Sequence, residues 1–404
     1  MQLTLNSLSA LHILRSIRTG EIGADLGKRC SCKAPDKGGR SRWSRKMLAA
    51  GLASVGAAGL LDGRRQLYVL VPQATQRLQL GFVHNTVCSE GLPENSFVDL
   101  GNGVATSCPE LLFIELGRVM DPIVHLLLGI ELCGCFSRSP IDPRNGSVRY
   151  GLEPATSVSK LRSYAQKARG IWGAERALET IDLIAENAWS PMEAVLAALL
   201  VLPTDQLGFD LGPIRLNPRK ELGERLSRLS EASSRVPDIM FTGTDVGLNY
   251  DGEDHFRLSE IADAAVALDR DPGNFARQRE LAQALAEARS RIVEDKRRDR
   301  DLMSLGLTVF SVTKEDLLEK GSIERVVGQV VEAIERTERR DLSAQRIILC
   351  HDRLVEARWK MIRALLPGSA HLEGPEQRQT ISMDDAIVGF ELDEHGLRIV
   401  SVVK

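Results

Sequence analysis

The order in which apolar periodicity changes between residues 190 and 337 constrains the fold most. Ser190-Pro191-Met192-Glu193 is a capping box with proline at the first helical position, and the MEAVLAALLVL that follows is apolar nearly all round. A buried helix is therefore predicted over 191–201. PIRLN then reads as a short strand and KELGERLSRLSEAS as a charged helix. Val236–Phe241 and Val246–Tyr250 are apolar runs separated by Thr242–Asp245, which predicts a hairpin with strands at about 236–241 and 246–251. A long helical insert over 258–303 follows, then a strand, GLTVFSVT, at 306–313 and a helix over about 314–337. Helices and strands mixed in this way predict an α/β (α+β) unit around a mixed sheet.

A chain of 404 residues is too long for one ordinary domain, and four segments are expected. They are a helical N-terminal segment with a basic loop (1–62), a smaller α/β domain (63–189), the unit just described (190–340, with its insert at 258–303), and a C-terminal helix plus hairpin (341–404). The first holds a helix, SLSALHILRSIRTGEI, and an Ala-rich helix. The second holds the strands QLYVLVP, LQLGFVH and FVDL, and a capping box from Ser107 to Glu110 that opens the helix LLFIELG. The last holds the helix DRLVEARWKMIRALL and a hairpin with its turn at Glu394-His395-Gly396.

Aromatic residues make up only 4% of the chain, so its cores must rest on Leu, Val, Ile and Ala. A net charge of −3 argues against bulk electrostatic binding of nucleic acid but leaves room for a local basic patch. The loop at 28–46 is such a patch. Arg40, Arg42, Arg45 and Lys46 are among its cations, against Asp36 alone, so it either touches a phosphate backbone or is a solvated loop. Seven cysteines with two C-x-C pairs suit neither a disulfide framework nor a two-knuckle zinc site. Reduced thiols and a cytoplasmic location are expected. The longest charge-free apolar run, MLAAGLASVGAAGLL at 47–61, falls short of the ~20 residues a span needs, so no membrane partner is expected.

Chemistry concentrates in the hairpin. Pro237-Asp238 precedes Asn249-Tyr250-Asp251 by about ten residues, with Gly252 and His255 following. This layout, with Glu193 on the preceding helix, resembles the PD-(D/E)xK nucleases. The run from Ser190 to about Arg336 resembles the bacterial endonuclease-like domain related to very-short-patch repair endonucleases. Glu193 matches that family's helix glutamate and Asp238 its strand aspartate. Asp251-Gly252 and His255 match its D-G and histidine, Asp295-Lys-Arg-Arg298-Asp299 its D-x-x-R-D, and Gly306 to Thr313 its last strand motif. LYVLVP, FVHNTV and GVATSCPELLFIELG stand in the order found in actinobacterial proteins similar to abortive-infection antitoxin regulators.

The resemblance implies a restriction-endonuclease-like core that acts on DNA with Mg²⁺. Glu193, Asp238, Asp251 and His255 would be catalytic, and Asp238, Asp251 and Asn249 would hold the metal. Lys296 and Arg298 would meet phosphates. The chain departs from the family where glutamate is replaced by Asn249, where tryptophan is replaced by Leu307, and in the roughly 39 residues between His255 and Asp295. An asparagine offers Mg²⁺ an amide oxygen without charge, which weakens both metal binding and water activation.

Plainer roles compete. Glu193 has a complete task in the capping box, Asp251-Gly252 is an ordinary turn signal, and the Asp295–Asp299 run suits a solvated helix face. Asp238 inside an apolar strand is harder to explain, because a buried carboxylate without partners is costly. Three readings stay open. They are a divalent-metal endonuclease, a non-catalytic DNA-binding regulator or antitoxin-like protein, and an interaction protein that meets a partner through the insert at 258–303.

Overall fold

The computed structural model describes residues 3–30, 44–61, 66–88, 91–230, 232–252, 258–271, 273–338, 340–366, 389–393 and 396–400. The chain has an α+β fold in two units, Met1–Ala198 with Leu365–Lys404, and Leu199–Ala364. Among the described residues no helix is long and apolar enough to cross a membrane.

The first unit opens with β1 (Leu3–Leu5), α1 (Ser7–Thr19), β2 (Arg29–Cys30) and α2 (Arg45–Ala53). It continues through β3 (Leu67–Val71), β4 (Val83–Val87), β5 (Phe97–Gly101) and β6 (Val104–Ser107). These strands form one sheet in the order β2-β5-β6-β1-β3-β4. β1, a strand absent from the sequence reading of residues 1–62, lies parallel to β6 and antiparallel to β3. The sheet is apolar on both faces. Leu3, Leu5, Leu67, Val69, Val71 and Val104 pack with Leu48 and Leu52 of α2. Leu70 and Ala105 pack with α3 (Pro109–Gly117), α5 (Val158–Lys167) and α6 (Ala174–Ile181). Between α3 and α5 come α4 (Pro122–Leu132) and a two-residue hairpin, β7 (Phe136–Ser137) with β8 (Arg149–Tyr150). α7 (Pro191–Val201) begins in this unit and ends in the next.

The capping box expected from Ser107 to Glu110 is replaced by a different cap. Pro109 takes the first helical position, so Cys108 becomes the cap and its sulfur accepts the Leu111 N–H at 3.4 Å. This frees Ser107, whose hydroxyl donates to Glu115 at 3.1 Å. Glu115 also accepts the Ser7 N–H at 3.0 Å, with no cation to balance it among these contacts. Burial pushes its carboxyl up to about 7, and the two hydrogen bonds only partly oppose that.

A second buried carboxylate is fully compensated. Glu131 on α4 takes a two-pronged ion pair from Arg15 on α1, at 3.0 and 2.8 Å, and accepts the Arg138 N–H at 3.1 Å. Burial would raise its pKa, but the charges of Arg15 and Arg138 outweigh that and hold it at about 2. One turn along α1, Arg18 donates to the carbonyls of Glu131, Phe136, Gly134 and Glu153 at 2.7–3.2 Å. Two arginines three residues apart thus bind α1 to the end of α4 and the loops around it.

In the second unit, β9 (Ile214–Leu216) is followed by β10 (Lys220–Glu221), α8 (Glu224–Ser230) and β11 (Ser234–Arg235). The stretch expected as one charged helix is thus split. Gly223, a poor helix residue, precedes α8, and Lys220–Glu221 pairs with Ser234–Arg235 instead. Next come β12 (Ile239–Phe241), β13 (Val246–Asp251), α9 (Leu258–Arg270), α10 (Phe275–Ser304) and β14 (Thr308–Thr313). The last elements are α11 (Lys314–Leu318), α12 (Ser322–Glu338), α13 (Ser343–Leu349) and α14 (Asp352–Leu365).

The sheet order here is β14-β13-β12-β9, antiparallel except for the β13/β14 pair. The strands expected near 236–241, 246–251 and 307–312 therefore lie side by side. α14 is fixed by Arg358, which is fully buried: it donates to the Leu207 carbonyl at 2.8 Å, pairs with Glu324 of α12 at 2.6 Å and lies over the Phe209 ring. β15 (Gly389–Asp393) and β16 (Gly396–Val400) pair antiparallel, while Glu394 and His395 of the expected turn lie outside the described residues.

Candidate functional site

The β12–β13 hairpin brings Asp238 and Asn249 together. Ile239 pairs with Leu248, so one step further along the register Asp238 faces Asn249. The two strands approach closely at Gly247, where a Cβ would lie 2.4 Å from the Met240 sulfur and 2.5 Å from the Ile239 carbonyl oxygen. Only glycine fits this crossing.

Polar bonds then lock the end of the hairpin. The Asp238 N–H donates to Asn249 Oδ1 at 3.1 Å, and the Tyr250 N–H donates to Asp238 Oδ2 at 2.7 Å. On the other side, the Asn217 N–H donates to the Asp238 carbonyl at 2.8 Å. Asn249 is 1% exposed, and its one side-chain oxygen is occupied by this bond. The carboxylate that looked costly in an apolar strand thus accepts a backbone N–H, that of Tyr250.

Asp251, two residues beyond Asn249 and on the same face of β13, is met from α10. Arg298 lies 3.4 Å from Asp251 and 3.7 Å from Asp295, with all three side chains at most 24% exposed. Among the described residues its Nε is buried without a hydrogen-bond partner. The spacing of three residues between Asp295 and Arg298 on a helix is what lets both reach one point. The rest of that run behaves as a charged face. Lys296 is 75% exposed and pairs with Asp299 at 3.5 Å, while Arg297 pairs with Glu294 at 3.9 Å. Arg235 of β11 takes Glu294 and Asp301 at 2.6 and 2.7 Å, which ties the strand to α10.

The remaining expected residues fall as follows. Glu193 accepts the Trp189 N–H at 3.0 Å and donates its own N–H to Ser190 Oγ at 3.2 Å, the capping role read from sequence. It belongs to the first unit, whereas Asp238, Asn249 and Asp251 belong to the second. His255, Arg40 and Arg42 lie outside the described residues. Arg45 and Lys46 are exposed in the first turn of α2, with the Arg45 guanidinium 5.4 Å above the Phe82 ring. Leu307, in the place of the family tryptophan, is buried with Met240 and Leu302. On the insert, Leu285 and Ile292 are half exposed, seven residues apart on one face of α10.

These residues can be tested against a divalent ion. Mg²⁺ needs carboxylate and carbonyl oxygens converging at ~2.1 Å with several waters retained. Asn249 Oδ1 accepts the Asp238 N–H, one Asp238 oxygen accepts the Tyr250 N–H, and one Asp251 oxygen faces Arg298. Among the described residues no three His, Cys, Asp or Glu side chains group closely enough to hold a metal. Among the described residues the arrangement is a hydrogen-bonded hairpin end beside an ion pair. No family model, no curated protein and no solved structure matches the chain.

Proposed function

We propose that the protein binds DNA and that its endonuclease-like domain has lost metal-dependent cleavage. The observation that carries this reading is the closed set of bonds from Asn249 to Asp238 and from Asp238 to the Tyr250 N–H. The order α7, β12, β13, insert helices, β14, α12 within 191–338 agrees with the helix–strand–strand–helix–strand–helix layout of the nucleases it resembles, with β9, β10, β11, α8 and α11 in addition. Asp238, matched to the strand aspartate of the resemblance, accepts the Tyr250 N–H. Arg298, matched to the conserved-pattern arginine of the resemblance, answers Asp251 with a positive charge from the protein itself. DNA contact falls to exposed cations such as Arg45 and Lys46.

The test uses supercoiled plasmid with Mg²⁺ and with Mn²⁺, together with DNA binding at several salt concentrations. Wild type and Asp238→Asn should both fail to nick. The asparagine keeps an acceptor for the Tyr250 N–H, so folding is preserved. Both should bind duplex with an affinity that falls as salt rises, at a log–log slope on the order of −0.9 per phosphate contact. Neutralising Arg45 and Lys46 together should make that slope shallower by about two contacts' worth. Metal-dependent nicking by wild type that Asp238→Asn removes would restore the endonuclease reading. Duplex binding absent at low salt would leave neither.

A further inference from the structure

The first unit contains a pocket of about 650 Å³, apart from the hairpin of the second, lined by Arg29 of β2 and by Ser159, Lys160, Ser163 and Lys167 of α5. We propose that this pocket binds a small phosphorylated molecule, with its phosphoryl group held over Ser163 by Lys160 and Lys167. The volume is within the range of small-ligand sites, ~300–1,000 Å³.

The sequence S-K-x-x-S-x-x-x-K makes the arrangement. Lys160 lies three residues before Ser163 and Lys167 four after it, so all three share one helix face. Their backbones are spread over roughly 10 Å of helix at 1.5 Å per residue, and two flexible four-carbon stems can lean inward to a point above the serine. Lys160, Ser163 and Lys167 are exposed, and among the described residues neither ammonium is paired with an acid.

Opposite them, Arg29 cannot swing away. Its guanidinium pairs with Glu110 at 3.1 Å, and Glu110 in turn accepts the Thr156 hydroxyl at 2.6 Å. The acid deepest in the pocket is therefore already neutralised by contact. What faces a ligand is a fixed guanidinium edge, two mobile ammoniums and a hydroxyl. That set matches a dianionic phosphoryl group, which charge-assisted donors bind about twice as strongly as neutral ones do. Glu94 at the rim is left to accept a hydroxyl or amino group from the rest of the ligand.

Pyrophosphate is the probe, titrated calorimetrically into the full chain at constant ionic strength. Wild type should bind it saturably. Lys160→Gln/Lys167→Gln, both on exposed positions, should bind at least tenfold more weakly, about 1.4 kcal/mol. Arg225→Gln/Arg289→Gln, exposed cations of the other unit, should bind as wild type does. A short single strand without a terminal phosphate serves as the second arm and should not compete. Absence of saturable binding, equal binding by the lysine variant, or competition by that strand would each overturn the proposal. The last would assign the lysines to a phosphodiester backbone. Plasmid nicking and duplex binding are read separately, so failure here leaves the proposed function standing.

Discussion

Glu131→Ala should destabilise the first unit by roughly 3–5 kcal/mol, because it leaves the buried guanidiniums of Arg15 and Arg138 without their counter-charge. Both are at most 8% exposed at the side chain, so water cannot replace the lost carboxylate. Arg18 keeps its four carbonyls, which confines the damage to the ion pair. The check is hydrogen exchange at the amides of α1 and α4 across a urea series, where protection should fall together. An exposed pair sets the scale. Asp182→Ala, which removes the partner of Arg162 at 2.7 Å on the surface, should cost less than about 1 kcal/mol. If Glu131→Ala costs no more than Asp182→Ala, the buried network is not what holds α1. The pH signature has a definite sign. The Glu131 pKa is depressed from 4.5 to about 2, so its contribution is present above 4.5 and lost as pH falls through that window.

Glu115 gives the opposite sign, and this is the second large effect. Its carboxyl is raised from 4.5 to about 7, so its stabilising share is complete below 4.5 and lost as pH climbs to about 7. The full loss is at most about 3 kcal/mol, at 1.36 kcal/mol for each unit of pKa difference. Glu115→Gln carries no ionisable group. Its amide oxygen can still accept the Ser7 N–H, while its NH₂ can donate to the Ser107 hydroxyl. The difference in unfolding free energy between variant and wild type should rise from pH 5 to pH 8 by up to that amount. A difference independent of pH would mean that Glu115 ionises in the fold as it does in water.

The elements with sustained periodicity were legible in the sequence. α7, β12, β13 and β14 were expected within a few residues, because apolar runs bounded by turn residues specify them locally, whereas the helix expected over about 314–337 is two, α11 and α12, broken at Gly321 with its φ of 80°. β1 was not, since three residues are too few to show alternation and its partners lie about 60 to 100 residues downstream. Leu-Thr-Leu at 3–5 carries no signal of its own. For the site, sequence gave the right residues in the right order but not their occupations. That Asp251 meets Arg298, 47 residues later, and that Asn249 turns its oxygen to a backbone N–H, are facts of tertiary contact. The exchange of Ser107 for Cys108 as helix cap was readable from Pro109, which fixes the first helical position.

The place of β1 bears on how the chain is made. β1 precedes both of the strands it is seated between, β3 and β6, and the second of these ends at Ser107. At roughly 5–20 residues per second of synthesis, β1 waits several seconds before both neighbours exist. Arg15 and Arg18 wait longer, for Glu131 and for the carbonyl of Glu153. The nascent first unit therefore keeps an apolar sheet face uncovered until α6 has been made. Slowing translation before that point should prolong chaperone engagement, whereas slowing it after α6 should not.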